Sequence, residues 1–460
     1  MTAKERIQGR KVGVIGMARS GMAAAILANR MGADVFISDV QPAPQLDTQL
    51  ARLTEHRIRF ETGGHTSRLL RSDYLIISPG VPPDIPIVRE ATRTGIPIFS
   101  EVEFAYWVCR GKVLAITGSN GKTTTTSLIG EILKAAGKPI FVCGNIGRPF
   151  AEVVEDIPED GVAVLEVSTF QLERIETFAP HIALILNLAP DHLDRHGTFE
   201  AYKRLKYRIA ENQASHDYLI LNQQDHDSMT DEIDTRARRL TFSVEDTTDS
   251  ATLVRDGKLY QRRDGDILPV INVGNIGIPG PHNLQNAAAA VTATSLLDVP
   301  VETMADTLRD FPGVEHRLER VDRVAGIDFI NDSKATNVDS VTYALRSIAG
   351  RIWLIAGGKG KGASYAPIVE YGRGKIKGAV LIGQARQEIF DELGKSFPIE
   401  FAESLQDAVR MAFARAQAGD TILLSPACAS FDMFESYEQR GRVFKKAVAS
   451  LRTRETNETA

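Results

Sequence analysis

The chain has 460 residues, which is too long for one compact core and enough for two or three domains. Its 43% hydrophobic and 25% charged residues are ordinary for a globular protein, and the formal net charge of -5 excludes a global basic field for nucleic acid or an anionic membrane. No run approaches the ~18 uninterrupted apolar residues of a membrane span, and the polar N-terminus lacks a signal-peptide stretch. Cys109, Cys143 and Cys428 have neither metal-site nor disulfide spacing, so we expect reduced thiols in a cytoplasmic protein.

Short apolar, β-branched runs alternate with helical patterns through nearly the whole chain, which is typical of parallel α/β architecture. Gly and Pro interrupt the pattern near Cys109–Lys112 and near Phe311–Val314, so we predict three domains, 1–110, 111–312 and 313–460. The predicted strands of the first domain are Lys11–Ile15, Val35–Ser38, Tyr74–Ser78 and Ile96–Phe99. Those of the second are Val113–Thr117, Ile140–Cys143, Val162–Glu166, Ala183–Asn187 and Tyr218–Leu221, followed by a β-rich stretch at Thr241–Val273. Those of the third are Ile327–Asn331, Ile352–Ala356, Ala379–Ile382 and Thr421–Leu424.

In the first domain, the segment GVIGMARSG (Gly13–Gly21) follows a strand and opens a helix, as a dinucleotide-binding turn does. Ala18 stands where the second glycine of G-x-G-x-x-G lets the backbone approach a pyrophosphate. Asp39, at the end of the next strand, suits a ribose hydroxyl or a base, and an ordinary turn residue is equally compatible. Ser78–Gly80 forms another turn at the carboxyl edge, where open α/β sheets bind ligands. We therefore predict a nucleotide-diphosphate site without NAD.

The second domain opens with KVLAITGSNGKTTTT, a strand that runs into a glycine turn, a lysine and four threonines. Backbone N–H groups of such a turn, together with the N-terminus of the next helix, cradle phosphate oxygens. Lys122 can reach the outer phosphates, and the Thr123 hydroxyl can bind Mg²⁺. The glycines are Gly118 and Gly121, so this loop is shorter than the usual G-x-x-x-x-G-K-[ST]. A lone Gly-Lys-Thr would be an ordinary turn, but the flanking strand and amphipathic helix indicate phosphate binding.

Polar residues follow later strands of the second domain. Glu166 and Ser168 end a strand, and a carboxylate there can hold Mg²⁺ against nucleotide oxygens. A carboxylate buried beside an apolar run would be costly unless it were paired or metal-bound. The next apolar strand runs into a turn with Asp191 and His192, of which His192 is our preferred metal ligand. Lys206 lies on a charged helix, and from this context alone we expect it at the surface.

In the third domain, the segment NDSKATN (331–337) follows a strand and is predicted to start a helix. Capping explains Asp332 or Ser333, but not Lys334, because the helix dipole disfavours a cation at that end. A nearby anion would resolve this conflict. The segment GGKGKG (357–362) adds flexible backbone and two cations after another strand. We interpret the domain as a site for an acidic small molecule beside the nucleotide.

Seven segments, TGSNGKTT, LEVSTFQLE, NLAPDHLDRHG, PGPHNLQNAAAA, HRLE, NDSKATN and SPACASFDMF, resemble the Mur ligase family in order and spacing. The last three are most similar to the D-glutamate-adding branch of that family. The resemblance implies an α/β fold of three domains, in which Rossmann-like N-terminal and C-terminal domains flank a central P-loop-type mononucleotide-binding domain. It implies an ATP-dependent ligase that adds D-glutamate to UDP-N-acetylmuramoyl-L-alanine through an acyl phosphate. This step belongs to cytoplasmic peptidoglycan precursor synthesis, and through it to cell shape and division.

The resemblance also implies roles for individual residues. The implied ATP-binding residues are Gly118, Ser119, Asn120, Gly121, Lys122, Thr123, Thr124, Asn283, Asn286, His316, Arg317 and Asp332. Two magnesium ions are implied at Thr123, Glu166, His192 and Lys206, the last as a carbamate formed with CO₂. Lys334 is implied to lie close to the transferred phosphoryl group. The UDP-sugar would contact Ser20, Asp39, Gly80, Asn145 and His192, with Ser168 also in the substrate site. D-glutamate would contact Thr336, Lys361, Ser430, Phe431 and Tyr437.

Several alternatives stay open from the residues. One is another amide ligase of the same family, which adds a different amino acid or extends a folate. A second is an NAD-dependent oxidoreductase built on the first domain, against which Ala18 argues. A third is a non-catalytic nucleotide-binding regulator, which the polar residues around the phosphate loop disfavour. We expect small-molecule partners only, neither nucleic acid nor membrane, and a monomer.

Overall fold

The computed structural model describes residues 2–263 and 265–458. The described residues form three β-sheets with helices between their strands, which confirms the predicted α/β class. None of the described helices is both long enough and apolar enough to cross a membrane. Short 3₁₀ helices occur at Ala43–Gln45, Leu69–Arg71, Val154–Asp156, Arg208–Ala210 and Val273–Asn275.

The first sheet has five parallel strands in the order β3-β2-β1-β4-β5. All four residues of its Tyr74–Ile77 strand are buried, as expected for a parallel sheet that helices cover on both faces. The strands are β1 Lys11–Ile15, β2 Asp34–Ser38, β3 Arg59–Glu61, β4 Tyr74–Ile77 and β5 Ile98–Ser100. The helices are α1 Ala3–Ile7, α2 Arg19–Arg30, α3 Asp47–Glu55, α4 Pro86–Arg93 and α5 Glu101–Val108.

The second sheet has nine strands in the order β14-β13-β12-β11-β10-β9-β6-β8-β7. The central strands β6, β8 and β9 are parallel, so their carboxyl ends lie at the same edge of the sheet. The strands are β6 Lys112–Thr117, β7 Ile140–Gly144, β8 Val162–Glu166, β9 Ile182–Ile185, β10 Tyr218–Asn222, β11 Arg238–Phe242, β12 Thr252–Arg255, β13 Lys258–Arg263 and β14 Asp266–Asn272. The helices are α6 Lys122–Ala135, α7 Phe150–Val153, α8 Thr169–Leu172, α9 Leu193–His196, α10 Phe199–Tyr207, α11 Pro281–Ser295 and α12 Val301–Asp310.

The predicted β-rich stretch is confirmed, and the last three strands of the second sheet form an antiparallel extension. β14 is the edge strand, and it contains Pro269 opposite Tyr260 of β13. Because proline lacks a backbone N–H, it is tolerated in a strand chiefly at such an edge.

The third sheet has six strands in the order β15-β16-β20-β17-β18-β19, and only the β15–β16 pair is antiparallel. Helices cover both of its faces with two apolar clusters. The strands are β15 Glu319–Val324, β16 Ile327–Asn331, β17 Ile352–Gly357, β18 Ile376–Ile382, β19 Ile399–Phe401 and β20 Thr421–Leu424. The helices are α13 Val338–Ser347, α14 Ala366–Gly372, α15 Arg386–Leu393, α16 Leu405–Arg415 and α17 Tyr437–Glu458.

The segment NDSKATN corrects one sequence prediction. The helix after β16 begins at Val338, and the Asn337 side chain caps it by accepting a hydrogen bond of 2.8 Å from the Ser340 N–H. Lys334 therefore lies in a turn before the helix and not in its first turn. The dipole argument for an anion at Lys334 no longer applies, and its role must be judged from its contacts.

The chain divides by its contacts into two compact units. The first unit comprises Met1–Leu188, Glu200–Val273 and Gln285–Arg309, and it holds the first two sheets. The second comprises Ala189–Phe199, Gly274–Leu284 and Asp310–Ala460, and it holds the third sheet. The boundaries of the three predicted domains stay a prediction.

Candidate active site

The predicted phosphate loop connects β6 to α6 in the first unit. Gly118 and Gly121 have φ values of 147° and 82°, which favour glycine. A Cβ atom at Gly121 would overlap the Asn286 side-chain oxygen, so this turn also needs glycine for space. The Asn120 N–H donates to Asn187 Oδ1 at 2.8 Å, and this bond ties the loop to the chain after β9. The loop is therefore a rigid backbone cradle that fits phosphate oxygens.

Two lysine side chains converge on this loop. Lys122 Nζ donates to the Gly118 and Ser119 carbonyl oxygens at 2.7 and 2.9 Å. Lys206 Nζ donates to the same Gly118 oxygen at 2.8 Å and lies 4.6 Å from the Tyr202 ring centre. Lys206 is 1% exposed, so the surface position expected from its helix alone is wrong. Two ammonium groups on one carbonyl oxygen repel each other, and an anion here would relieve that repulsion.

Oxygen-bearing side chains lie at the first turn of α6. Thr123 Oγ1 donates to Glu166 Oε2 at 2.6 Å, and Asn145 Nδ2 donates to Glu166 Oε1 at 2.8 Å. Glu166 is 1% exposed, as expected for a carboxylate whose burial is compensated by hydrogen bonds. Hydroxyl and carboxylate oxygens are the ligands that Mg²⁺ prefers, so these side chains fit a magnesium ion. Ser168 caps α8 two residues beyond Glu166 and forms a capping box with Gln171.

Asn286, which is predicted to contact adenine, lies close to the helix that follows the phosphate loop. Asn286, on α11, accepts a hydrogen bond of 3.2 Å from Thr125 Oγ1, directly after the buried Thr124. The Ser119 hydroxyl lies 3.0 Å from the Tyr202 hydroxyl. Sequence reasoning missed Tyr202, although its i,i+4 spacing from Lys206 places both on one face of α10.

The predicted sugar-nucleotide residues of the first domain lie at the carboxyl edge of the first sheet. Asp39 accepts from the Met17 N–H at 2.6 Å and from the Gln41 N–H at 2.8 Å. Ser20 is half-buried in the first turn of α2, and Gly80 is exposed in the turn after β4. These positions fit the edge at which open α/β sheets bind ligands.

In the second unit, Asp332 is fully buried beyond the end of β16. Ser425 Oγ donates to its Oδ2 at 2.9 Å, and the Leu318 N–H donates to its Oδ1 at 3.2 Å. Burial raises the pKa of Asp332 to about 6, although Arg317 and both hydrogen bonds favour the ionised form. The buried His316 accepts from Asn331 Nδ2 at 2.9 Å.

Lys334 lies above an aromatic ring of the same unit. Its Nζ donates to the Tyr437 hydroxyl at 3.2 Å and lies 5.0 Å from the Tyr437 ring centre. The adjacent Thr336 is half-buried, Ser430 is buried, and the Phe431 side chain is 71% exposed. The predicted D-glutamate residues Thr336, Ser430 and Phe431 thus lie on loops at the carboxyl edge of the third sheet, and Tyr437 is the first residue of α17.

Sequence reasoning missed Arg440, whose buried guanidinium holds two of these loops. It donates to the Ser333 hydroxyl at 3.0 Å, to the Ser333 carbonyl at 2.8 Å and to the Cys428 carbonyl at 3.1 Å. An arginine on an amphipathic helix gives no local signal of such a position.

In the second unit, Asp191 contacts both His192 and Lys361. Asp191 Oδ1 accepts from the His192 N–H at 2.9 Å and lies 3.7 Å from Lys361 Nζ. Asn337 Nδ2 donates to Asp191 Oδ2 at 3.2 Å. These four residues line a cavity of about 340 Å³. The predicted adenine residue Asn283 is buried and donates to the Pro279 carbonyl at 2.8 Å.

Three known protein domains match most of the chain. The MurD N-terminal domain matches residues 11–87, the Mur ligase middle domain matches residues 116–294, and the glutamate ligase domain of Mur ligases matches residues 316–428. The chain belongs to the Mur ligase family, whose members use ATP and Mg²⁺.

Two relatives are similar over nearly their full length. The UDP-N-acetylmuramoylalanine--D-glutamate ligase of Acidobacterium capsulatum is 44% identical over 449 residues, with 97% of each chain covered. The ligase of the same name from Thermoanaerobacter sp. (strain X514) is 42% identical over 451 residues, which cover 97% of this chain and 99% of that one.

Solved structures share the fold at lower identity. UDP-N-acetylmuramate-alanine ligase MurC from Thermotoga maritima has a TM-score of 0.60 and 19% identity, with 96% of this chain and 99% of that chain covered. MurF from Acinetobacter baumannii has a TM-score of 0.59 and 18% identity, with 97% and 93% covered.

Proposed function

We propose that this protein is an ATP-dependent ligase that joins D-glutamate to UDP-N-acetylmuramoyl-L-alanine and releases ADP and phosphate. The observation that carries this proposal is the convergence of Lys122 and Lys206 on Gly118, beside the Thr123–Glu166 pair. Such a cradle suits a bound polyphosphate and a hard cation. Identity above 40% to D-glutamate ligases over nearly the full chain supports this choice of substrates.

The reaction must activate a carboxylate, whose carbonyl carbon attracts an amine only weakly. The alanyl carboxylate oxygen forms a bond to the γ-phosphorus of ATP, and the bond to the ADP oxygen breaks. The D-glutamate amine, once neutral, then forms the amide bond, and phosphate leaves the acyl carbon. Lys122 and Lys334 would stabilise the negative charge on the transferring group.

Thr123 and Glu166 would hold a magnesium ion, and His192 a second one. Such an ion would neutralise charge on the phosphate oxygens. Lys206 would contribute as a carbamate, which replaces an ammonium group by carboxylate oxygens. This change would also remove the repulsion between the two lysines at Gly118, and that repulsion is the structural support for the modification.

The remaining predicted residues would bind substrate. Asn283, Asn286, His316, Arg317 and Asp332 would surround the adenosine and phosphates. Ser20, Asp39, Gly80 and Asn145 would contact the sugar nucleotide, and Thr336, Lys361, Ser430, Phe431 and Tyr437 would contact D-glutamate. We also infer that the protein is cytoplasmic, because peptidoglycan precursors of this kind are made from cytoplasmic nucleotides, and a monomer stays our prediction.

The proposal is tested by phosphate release from ATP and Mg²⁺ with UDP-N-acetylmuramoyl-L-alanine. Four reactions compare D-glutamate, L-glutamate, L-lysine and no amino acid, and mass spectrometry follows the sugar nucleotide. We expect release only with D-glutamate, together with the mass gain of one glutamyl residue. Release with another amino acid would reassign the step within the family, and no release under any condition would refute the proposed substrates.

A further inference from the structure

His65 lies at the carboxyl edge of the first sheet, in the loop that follows β3. β2 ends at Ser38 and β3 ends at Glu61, and these two residues are partners in the parallel register. The loop from Glu61 returns to this edge, where the Gly63 and Gly64 N–H groups donate to the Gln41 and Asp39 carbonyls at 2.8 and 3.2 Å. The loop therefore places His65 beside Asp39, the predicted sugar-nucleotide residue.

The hydrogen bonds around Ser38 determine which ring nitrogen of His65 carries a proton. Ser38 Oγ lies 2.8 Å from Glu61 Oε1, 2.8 Å from His65 Nδ1 and 3.1 Å from the Gly64 carbonyl oxygen. A hydroxyl has one proton, and neither the carboxylate nor the carbonyl can donate. Ser38 therefore donates to one of these oxygens and accepts from His65 Nδ1–H. If Ser38 instead donated to His65 Nδ1, Ser38 Oγ and Glu61 Oε1 would lie 2.8 Å apart without a proton between them.

Glu61 is suited to be the acceptor in this network. Burial raises the pKa of Glu61, but hydrogen bonds from Thr66 and Ser38 together lower it by more. The pKa of Glu61 therefore lies below its usual value. The Thr66 N–H donates to Oε1 at 2.8 Å and the Thr66 hydroxyl donates to Oε2 at 2.6 Å. The carboxylate is thus ionised and held in place, and it in turn orients Ser38.

With Nδ1 protonated, Nε2 of a neutral His65 is a hydrogen-bond acceptor. Burial lowers the pKa of His65 more than Asp39 and Glu61 raise it, so the ring is neutral near pH 7. No described residue hydrogen-bonds to Nε2, and the side chain is half-buried. Apart from the adjacent residues of the chain, no described atom lies within 4 Å of a Cβ position built at Gly63 or Gly64, so this loop is open on that side.

We propose that His65 recognises the uridine of the sugar nucleotide, with Nε2 accepting a hydrogen bond from a ribose hydroxyl or from the uracil N3–H. This proposal rests on the proposed function and assigns a further residue to its sugar-nucleotide site. A neutral acceptor beside the Asp39 carboxylate favours a group that donates hydrogen bonds. The uridine supplies such donors, whereas the diphosphate has acceptors only.

The first experiment measures binding of UDP-N-acetylmuramoyl-L-alanine by calorimetry and its KM in the ligation. His65→Asn keeps a donor near Nδ1 but removes the outward acceptor, whereas His65→Gln places an amide oxygen near Nε2. We expect His65→Asn to weaken binding about fivefold and to raise KM by the same factor with kcat unchanged. His65→Gln should recover part of the loss. His56→Asn, on a half-buried histidine at the end of α3, is the matched control.

The second experiment identifies the donor with 2′-deoxyuridine, 3′-deoxyuridine and N3-methyluridine analogues of the same sugar nucleotide. The wild type should bind the analogue that lacks the donor about fivefold more weakly than the parent compound. His65→Asn should bind that analogue and the parent compound equally well. The ribose and the uracil are thereby distinguished.

Two results would overturn the assignment of His65. One is unchanged binding to a folded His65→Asn variant, and the other is equal affinity of the wild type for the parent and all three analogues. Failure of the wild type to bind the sugar nucleotide at all would instead refute the proposed function.

Discussion

Glu166 in the first unit and Asp332 in the second are both buried carboxyl groups at the ends of parallel strands, yet their surroundings differ. Glu166 accepts from a threonine hydroxyl and an asparagine amide beside a glycine loop with two lysines. Asp332 accepts from a serine hydroxyl and one backbone N–H, with a pKa of about 6. The same position on an α/β sheet therefore holds a carboxylate beside two lysines in one unit and a carboxyl group with a raised pKa in the other. The loops that follow the strands, and not the strands, determine this difference.

The largest expected effect is that of removing the loop lysine. Lys122→Ala should lower kcat about 1,000-fold, because it removes the ammonium group that donates to the Gly118 and Ser119 carbonyls of the predicted phosphate loop. Phosphate release measures the loss, and thermal unfolding checks that the variant is folded. Lys134→Ala is the control, since this lysine lies exposed at the other end of α6 and pairs with Glu131. Near wild-type turnover in Lys122→Ala would remove the phosphate-loop assignment.

The second effect concerns the other lysine at Gly118. Lys206→Ala should lower kcat roughly 300-fold, because it removes the oxygens that the proposed carbamate would supply to the proposed metal site. Added formate or acetate should restore part of the activity, because a small carboxylate can occupy the space that the side chain leaves.

Lys203→Ala is the matched control on the same helix. Lys203 pairs with Glu200 at 2.8 Å and Asp227 at 3.0 Å, so its loss should affect stability and should not respond to carboxylates. If formate and acetate leave Lys206→Ala unchanged over a wide concentration range, the carbamate proposal fails.

The third effect separates the two carboxyl groups by pH. The folded-state pKa of Asp332 is about 6, above the value of 3.8 for an unperturbed group, so the folded protein holds this proton more tightly. The resulting stabilisation is complete below about pH 4 and is lost as the pH rises to about 6. Relative to Asp332→Asn, the wild type should lose at most about 3 kcal/mol of unfolding free energy over this interval.

Urea unfolding of both proteins at several pH values measures this difference. Asp306→Asn, at an exposed position on α12, controls for the loss of one carboxyl group. A difference between wild type and Asp332→Asn that does not change from pH 4 to pH 6 would contradict the environment assigned to Asp332.

The sequence predicts most central strands and the edge strands β5 and β7, whereas three other edge strands were not predicted. The predicted strands Lys11–Ile15, Val162–Glu166, Ile327–Asn331 and Thr421–Leu424 are confirmed to the residue. The strands β3, β15 and β19 were not predicted, and each lies at an edge of its sheet. An edge strand pairs on one side only and keeps exposed residues, so it lacks the continuous apolar run of a central strand.

The candidate site shows the same limit. The glycine loop is contiguous in sequence, so its residue types and order predict its shape. Burial of Lys206 depends on packing against Tyr202 and the loop carbonyl, which a single helix does not reveal. The wrong helix start at NDSKATN has a local cause, since Asn337 competes with Asp332 and Ser333 as a cap.

Pro269 in the edge strand β14 has a consequence for self-association. The open edge of a nine-stranded sheet offers unpaired N–H and C=O groups to any other extended chain. Proline removes one of those donors, and the irregular register between β13 and β14 distorts the edge further. Strand addition by a second copy at this edge is thereby disfavoured, which lowers the tendency of the protein to aggregate through this sheet.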